Sequence, residues 1–226
     1  MFIGHYGLAY AARGSEKRLP LWVYFVAVQW VDVVWTILIW FGIERVHIQP
    51  GANPSNPFVF DYYPYTHSLA AGIGWAALAY VVYRILTKRH GPLRPGGYLA
   101  LAVLSHWFLD FLVHEPDLPL FDESRKVGLG LWNHPMIELA VELLLLTAGA
   151  VYYFTKCHEL SNRRRVAIVA LCVFMVAMQL VSAFGPPPPS VRVMAASGLV
   201  LYLLFALGAY LAEGPRSAAR RDPLRA

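Results

Sequence analysis

Residues 97–115 read GYLALAVLSHWFLDFLVHE, an apolar run that carries three titratable side chains at steps of four residues. The run is long enough for a membrane helix, which needs about 20 residues to cross a hydrocarbon core. A step of four residues turns about 400° and rises about 6 Å, so His106, Asp110 and His114 lie on one stripe of that helix. Because polar groups cost free energy in lipid, the stripe indicates a functional site that faces other helices.

The overall composition places the whole chain in a membrane. Of its 226 residues, 58% are hydrophobic and only 15% are charged, which is too apolar for a soluble domain. We predict an all-α, polytopic membrane helix bundle with six transmembrane helices and a short N-terminal re-entrant or interfacial helix. The predicted spans are 21–43, 66–87, 97–115, 134–155, 166–184 and 194–212.

A single membrane domain, 1–226, accounts for the full length, since no internal repeat divides the chain. Within it, 1–156 carries the helices of the expected metal site, 165–213 forms an accessory helix pair, and 214–226 is a cytoplasmic tail. The connection 44–65 is rich in Pro, Asn and Tyr. We therefore expect an ordered outer loop that contacts substrate or acts as a lid.

Lys and Arg are distributed unevenly between the two sides of the predicted bundle. Fifteen of the 19 fall in the N-terminal segment, the second and fourth connections and the tail, and four fall in the other connections. The positive-inside rule therefore predicts a multi-pass protein of the inner (cytoplasmic) membrane with both termini in the cytoplasm. The net charge of +5 follows from this topology. No nucleic-acid partner is expected, because no basic stripe carries interleaved aromatic residues.

Other predicted spans carry polar side chains of the same types. The fourth span has His134, Glu138 and Glu142 at steps of four, the second begins with His67, and the first contains Asp32. The only Lys or Arg in these spans is Arg84, near the inner end of the second and far from the carboxylates, so a divalent metal is the simplest counter-charge. Imidazole and carboxylate ligands without thiolate suit zinc, with manganese or iron as alternatives. Two or three ions would balance the charge.

His5 needs a separate explanation, because it precedes a basic cluster, Arg13 to Arg18, on the predicted cytoplasmic side. Eight residues of helix span about 12 Å, so a re-entrant half-helix would bring His5 to the depth of Asp32 and His106. An interfacial amphipathic stub with an incidental histidine explains the same residues. The segment lacks a basic n-region, so we expect it to keep Met1 and not to be cleaved as a signal peptide.

Each polar residue taken alone also has a structural explanation. A histidine at a helix end, such as His67 or His134, is commonly an interfacial or capping residue. Asp32 alone fits a hydrogen-bonded core position. The set as a whole is harder to explain in this way, because carboxylates and imidazoles recur in four spans without any balancing cation.

The order of these residues resembles the zinc-dependent phospholipase C and single-strand-specific zinc nuclease superfamily. His106 and Asp110 are four apart in that pattern, as are His134 and Glu138. The stretches THS at 66–68 and HWFLDFLVHEPDLP at 106–119 also resemble a bacterial family of small membrane-bound metal-dependent hydrolases. The resemblance covers about residues 1–142. It implies an all-α fold that holds three zinc ions.

The resemblance also implies ligand sets and a reaction. Asp32, His67, His106 and Asp110 would bind one ion, His114, His134 and Glu138 a second, and His5 a third, with Asp110 bridging the first and third. The implied reaction is phosphoester hydrolysis by metal-activated water, with Asp32 or the neighbouring Asp110 as catalytic base. Soluble members use the amino group of a processed N terminus as a ligand, whereas this chain is expected to keep its first residue. The spacing between Asp32 and His67 is also longer than in the family.

The sequence therefore predicts a membrane-embedded, zinc-type hydrolase, phospholipase C-like or phosphatase-like. Its expected substrate is a phosphoester of a lipid or lipid-linked headgroup, reached from the extracytoplasmic side of the bilayer. Arg45, Arg125 and Lys126 are candidate phosphate contacts, and solvated rim charges also explain them. The alternative is a metal or proton transporter that uses the same intramembrane side chains. The third alternative is a structural protein in which a metal ion only holds the helices together.

Overall fold

A computed structural model describes residues 1–88 and 90–214, and the prediction of an all-α polytopic bundle is confirmed. Its helices are α1 (Gly4–Ser15), α2 (Leu21–Trp40), α3 (Pro64–His67), α4 (Leu69–Leu86), α5 (Leu93–Val113), α6 (Pro135–Lys156), α7 (Asn162–Phe184) and α8 (Val191–Glu213). All of these except α1 and α3 are long and apolar enough to cross a membrane. The predicted tail, 214–226, lies outside the described residues apart from Gly214.

Helix α1 is buried inside the bundle and is not an interfacial stub. It is 12 residues long, and its His5 and Tyr10 are fully buried. Gly7 lies against the backbone carbonyl of Leu145 in α6, and the Gly7 carbonyl lies against Gly149 of the same helix. A Cβ at either glycine would overlap the facing main chain. The absence of a side chain therefore lets α1 approach α6 closely enough to hold His5 in the interior.

A buried carboxylate ties four helices together at the end of the bundle where α1 ends and α2 begins. Glu213 of α8 accepts from Arg13 Nε at 2.6 Å, from the Tyr153 hydroxyl at 3.4 Å and from the backbone N–H of Leu21 at 2.8 Å. The Arg13 and Glu213 side chains are both less than a tenth exposed. We call this arrangement the Glu213 clasp. It makes α8 a packing partner of the helices that carry the polar residues.

At the other end, the connections form two short antiparallel hairpins that cover the bundle. β1 (Arg45–Ile48) pairs with β2 (Phe58–Tyr62), and β3 (Leu118–Pro119) pairs with β4 (Lys126–Val127). A 3-10 turn, Leu131–Asn133, precedes α6. A hydrophobic cluster joins the hairpins to α2 and α5 through Trp35, Ile39, Val46, Tyr63, Trp107 and Leu118. The long connection before α3 is therefore ordered and packed over the helix ends.

Candidate metal centre

Five titratable side chains from four helices meet inside the bundle. His106 and Asp110 lie on one face of α5, Asp32 comes from α2, His67 from the end of α3 and His5 from α1. Asp32 is the most exposed of them, with 13% of its side chain accessible. These five are the residues of the first and third ligand sets implied by the resemblance.

The nitrogen and oxygen atoms of these side chains lie at contact distances. The Nε2 of His106 is 3.1 Å from Asp110 Oδ2 and 3.5 Å from Asp32 Oδ1. The Nε2 of His67 is 3.2 Å from the same Asp32 oxygen, and the Nε2 of His5 is 3.3 Å from Asp110 Oδ1. Two groups of three residues have all their ligand atoms within 4.8 Å, namely His5, His106 and Asp110, and Asp32, His67 and His106. The two groups share His106, so they form one centre.

Hydrogen bonds on the far sides of two rings determine which nitrogen faces the centre. The Nδ1 of His106 lies 2.8 Å from the backbone carbonyl oxygen of Val28. A carbonyl can only accept, so this Nδ1 carries the proton. The Nδ1 of His67 lies 2.8 Å from the Thr66 hydroxyl oxygen. A neutral His106 therefore presents an unprotonated Nε2 to the two carboxylates, which is the form that binds metal.

Three buried ring nitrogens in the centre have no hydrogen-bond partner, namely His5 Nδ1, His5 Nε2 and His106 Nε2. The Nε2 atoms of His5 and His106 are both at ion-pair distance from the Asp110 carboxylate, but neither has hydrogen-bond geometry. Buried polar atoms in proteins are nearly always paired. Ring nitrogens that approach a carboxylate closely without hydrogen-bond geometry fit a cation held between them. The imidazole and carboxylate donors present suit zinc and related divalent metals.

No family model, curated protein or solved structure matches the chain. The family resemblance drawn from the motifs therefore stays a prediction, and the chemistry of the centre is inferred from its own side chains.

The start of α1 is held beside the centre by two carboxylates. The Met1 amino group donates to Asp110 Oδ1 at 2.7 Å. Glu142 of α6 accepts from the backbone N–H of Phe2 at 2.6 Å and, through its other oxygen, from the N–H of Gly4. The first N–H groups of a helix have no partner within the helix, so Glu142 caps α1. The four-residue spacing puts Glu142 on the polar stripe, but it does not reveal that its partner is a distant main chain.

The residues implied to bind a second ion do not come together. Helix α5 ends at Val113, so His114 leaves the stripe, and its Nδ1 lies 2.9 Å from Asp117 Oδ1. His134 is exposed where α6 begins, and Glu138 is buried on α6. Among residues 1–88 and 90–214, no group of three ligand atoms within 4.8 Å includes His114, His134 or Glu138. This ligand set stays a prediction without a preformed cluster.

The expected phosphate contacts are engaged with the outer hairpins. The Arg45 guanidinium lies 5.2 Å from the Tyr62 ring centroid, and Lys126 forms an ion pair with Glu123. Arg125 is exposed. These positions fit rim charges better than ligands of a phosphate at the centre.

Two residues that the sequence reasoning missed support His67. Thr66 precedes it within the THS stretch, and Glu44 lies at the start of the long outer connection. Glu44 is buried, and this burial raises the pKa of its carboxyl group, while its hydrogen bond with Thr66 acts in the opposite direction. Glu44 and His67 are far apart in sequence and belong to no shared helical period, so no local pattern could have linked them.

Proposed function

We propose that the chain is a membrane-embedded, metal-dependent hydrolase that acts on a phosphoester in a lipid or lipid-linked headgroup. The observation that supports this best is the convergence of His106 Nε2 on the Asp110 and Asp32 carboxylates, at 3.1 and 3.5 Å, inside an apolar bundle. Residence in the inner membrane, with cytoplasmic termini and a centre that opens to the other side, belongs to the same proposal. That orientation rests on the distribution of Lys and Arg.

The balance of charge favours a bound divalent cation. The Met1 amino group pairs with Asp110, and the Gln29 amide donates to Asp32. In the described residues, no Lys or Arg side chain pairs with either carboxylate. Removing the partner of a buried charge costs about 3–5 kcal/mol, so a cation held here would stabilise the bundle. A bound zinc-type ion would supply Lewis acidity and a water whose pKa is lowered to about 7.

Asp32 is the better placed of the two carboxylates to act as the base. Its side chain is 13% exposed, against 3% for Asp110. Asp110 is already bound by the Met1 amino group, whereas Asp32 has its second oxygen oriented by the Gln29 amide. We therefore assign to Asp32 the role of the base, which accepts the proton that water loses when it attacks phosphorus. Asp110 is assigned the structural part, since it contacts both His5 and His106.

The outer hairpins offer a place for a headgroup to approach. A pocket of about 180 Å³ lies there, lined by Asn53, Phe58, Phe60, Glu115, Asp117 and Trp132. The Phe60 ring is 4.9 Å from that of His114, whose backbone N–H donates to the carbonyl of Asp110 at 2.8 Å. Aromatic walls suit an amphipathic molecule at a membrane interface. The pocket thus supports substrate entry from the hairpin end.

The packing below the centre favours a hydrolase over a transporter. Both groups of ligand atoms share His106, so they lie at one level of the bundle. Toward the Glu213 clasp, the interior is filled by Tyr6, Tyr10 and Phe25, whose rings pack with centroids 4.8 to 5.2 Å apart. A conduction path needs polar groups along its length. The aromatic packing supports a centre that is open to one side.

Elemental analysis of the purified protein tests the metal. We expect two or three zinc-class ions in the wild type, and loss of most of them in Asp110→Asn at unchanged helix content by circular dichroism. Asp122→Asn, which changes an exposed acid on the outer connection, should keep the full complement. A wild-type protein that is metal-free and takes up none when zinc is supplied would contradict the proposal.

Turnover measurements separate the two functions. Release of phosphate or headgroup from lipid substrates in detergent, where no gradient exists, is expected for a hydrolase. Asp32→Asn should abolish this release even when zinc is supplied in excess to compensate for the lost ligand, because the carboxylate that accepts the proton is gone. Ion flux into proteoliposomes without any turnover would instead identify a transporter.

A further inference from the structure

Glu44 is a buried carboxylate that the proposed chemistry leaves unused. It is only 1% exposed. Its Oε1 accepts from the backbone N–H groups of Tyr65 at 2.8 Å and Thr66 at 3.0 Å, and its Oε2 accepts from the Thr66 hydroxyl at 2.6 Å. The same hydroxyl oxygen lies 2.8 Å from the Nδ1 of His67. A chain of hydrogen bonds therefore runs from Glu44 to the ring that faces Asp32.

The direction of this chain follows from what each group can donate. An ionised carboxylate has no proton to give, so the Thr66 hydroxyl donates its only hydrogen to Glu44. The Thr66 oxygen can then only accept from His67, which requires a proton on Nδ1. The Nε2 of the same ring lies 3.2 Å from Asp32 Oδ1, at hydrogen-bond distance, and 3.8 Å from Asp110 Oδ2, so either a proton or a cation lies between Nε2 and Asp32.

We propose that Glu44 is a positioning residue that, through Thr66, keeps a proton on Nδ1 of His67, so that Nε2 is the ring nitrogen at which a cation can replace the proton shared with Asp32. The part of this inference that concerns metal rests on the proposed function, whereas the part that concerns the tautomer does not. Carboxylate or carbonyl partners of metal-binding histidines commonly set the ring orientation and tautomer in this way. Here the carboxylate acts through an intervening hydroxyl group.

The substitution Glu44→Gln should reverse the donor and acceptor roles along these hydrogen bonds without removing a contact. Oε1 of Glu44 accepts two backbone N–H groups, so the glutamine oxygen must occupy that position. Its NH₂ group then takes the place of Oε2 and donates to Thr66. The Thr66 hydroxyl turns its hydrogen toward Nδ1 of His67, so Nδ1 loses its proton and the only ring proton lies on Nε2. A cation can no longer bind at Nε2 while the ring keeps this hydrogen-bond pattern, although the size and packing of residue 44 hardly change.

Nitrogen NMR of the chelator-treated protein reads the tautomer directly. We would label the histidines with nitrogen-15 and assign His67 by its loss in His67→Gln. The nitrogen-15 shift and the one-bond N–H coupling of each ring nitrogen show whether that nitrogen carries a proton. We expect a proton on Nδ1 of His67 in the wild type and on Nε2 in Glu44→Gln. His106, whose Nδ1 donates to the Val28 carbonyl, should keep its Nδ1 proton in both proteins.

Variants at two further positions separate this effect from a general disturbance. Thr66→Ser keeps the hydroxyl and should retain the wild-type tautomer, whereas Thr66→Val removes it and should release the preference. Glu115→Gln changes another acid of the outer connections, which accepts from the Asn53 amide, and should leave His67 unchanged. In the metal-loaded state, Glu44→Gln should weaken metal binding about 10- to 100-fold, with Thr66→Ser close to wild type.

The outcomes distinguish this inference from the proposed function. An Nδ1 of His67 without a proton in the wild type, or one that keeps its proton in Glu44→Gln, overturns the role of Glu44. The wild-type measurement and Thr66→Val decide the matter even if Glu44→Gln does not fold. The expected tautomers together with an absence of metal binding would overturn the hydrolase and leave the role of Glu44 in place.

Discussion

Replacing Glu142 with leucine should destabilise the protein, because it removes the group that caps α1. The two carboxylate oxygens of Glu142 accept from the N–H groups of Phe2 and Gly4, and the side chain is fully buried. Leucine has a similar size but accepts no hydrogen bond, so both N–H groups would be buried without a partner. An unsatisfied buried donor costs about 1–3 kcal/mol, so the two together cost roughly 2–6 kcal/mol.

The same substitution should weaken the metal centre. The Met1 amino group and His5 both contact Asp110, and both belong to the segment that Glu142 holds. If the start of α1 detaches, the ligand group formed by His5, His106 and Asp110 is lost. The group formed around Asp32 and His67 does not depend on α1. Metal content should therefore fall in part, not completely.

Unfolding in detergent, followed by circular dichroism, measures the loss of stability. For a chain of this size, each kcal/mol lowers the melting temperature by about 2–4 °C, so a fall of at least about 4 °C is expected. The control is Glu159→Gln, which removes an exposed ion pair with Lys17 at 3.9 Å and should change stability by less than about 1 kcal/mol. If Glu142→Leu were as stable as that control and kept all its metal, the capping role of Glu142 would be refuted.

Two further predictions concern the ends of the bundle. Glu213→Gln leaves the buried Arg13 without its carboxylate and should cost about 3–5 kcal/mol in the same unfolding assay. Adding Arg13→Met should restore part of this loss, and no recovery would show that the ion pair is not its cause. On the outer hairpin, a 2.8 Å hydrogen bond with Asp61 raises the pKa of His47. The pairing is therefore complete below the ordinary histidine pKa of about 6.5 and is lost as pH rises through the raised value. Asp61→Asn should return His47 to ordinary titration by NMR, and an unchanged curve would contradict the pairing.

The agreement between sequence and structure is best where one regular helix carries the pattern. His106 and Asp110 lie within α5, so a four-residue step correctly places them on one face. The same step fails for His114, because α5 ends at Val113. Pro116 lies just beyond, and a proline disfavours helical conformation in the residue before it. His114 therefore turns toward Asp117 of the outer connection.

Contacts between distant segments were only partly accessible from the sequence. The rise per residue correctly brings His5 to the depth of Asp32, because α1 is a regular helix buried in protein. The links from Glu44 to Thr66 and from Glu142 to the start of α1 join residues far apart in the chain. Such links are determined by how the connections fold back on the bundle, and no helical period encodes them.

The close contact between Gly7 and Gly149 bears on the order in which the protein is assembled. Twelve residues of helix rise about 18 Å, which is too short to cross a hydrocarbon core of about 30 Å. Helix α1 can enter the bilayer only where protein surrounds it, and the surface that receives it lies on α6, much later in the chain. During synthesis, we therefore expect α1 to enter the hydrocarbon core of the bilayer only after α6 has been inserted. A partly made chain then has no complete centre in which to trap an ion.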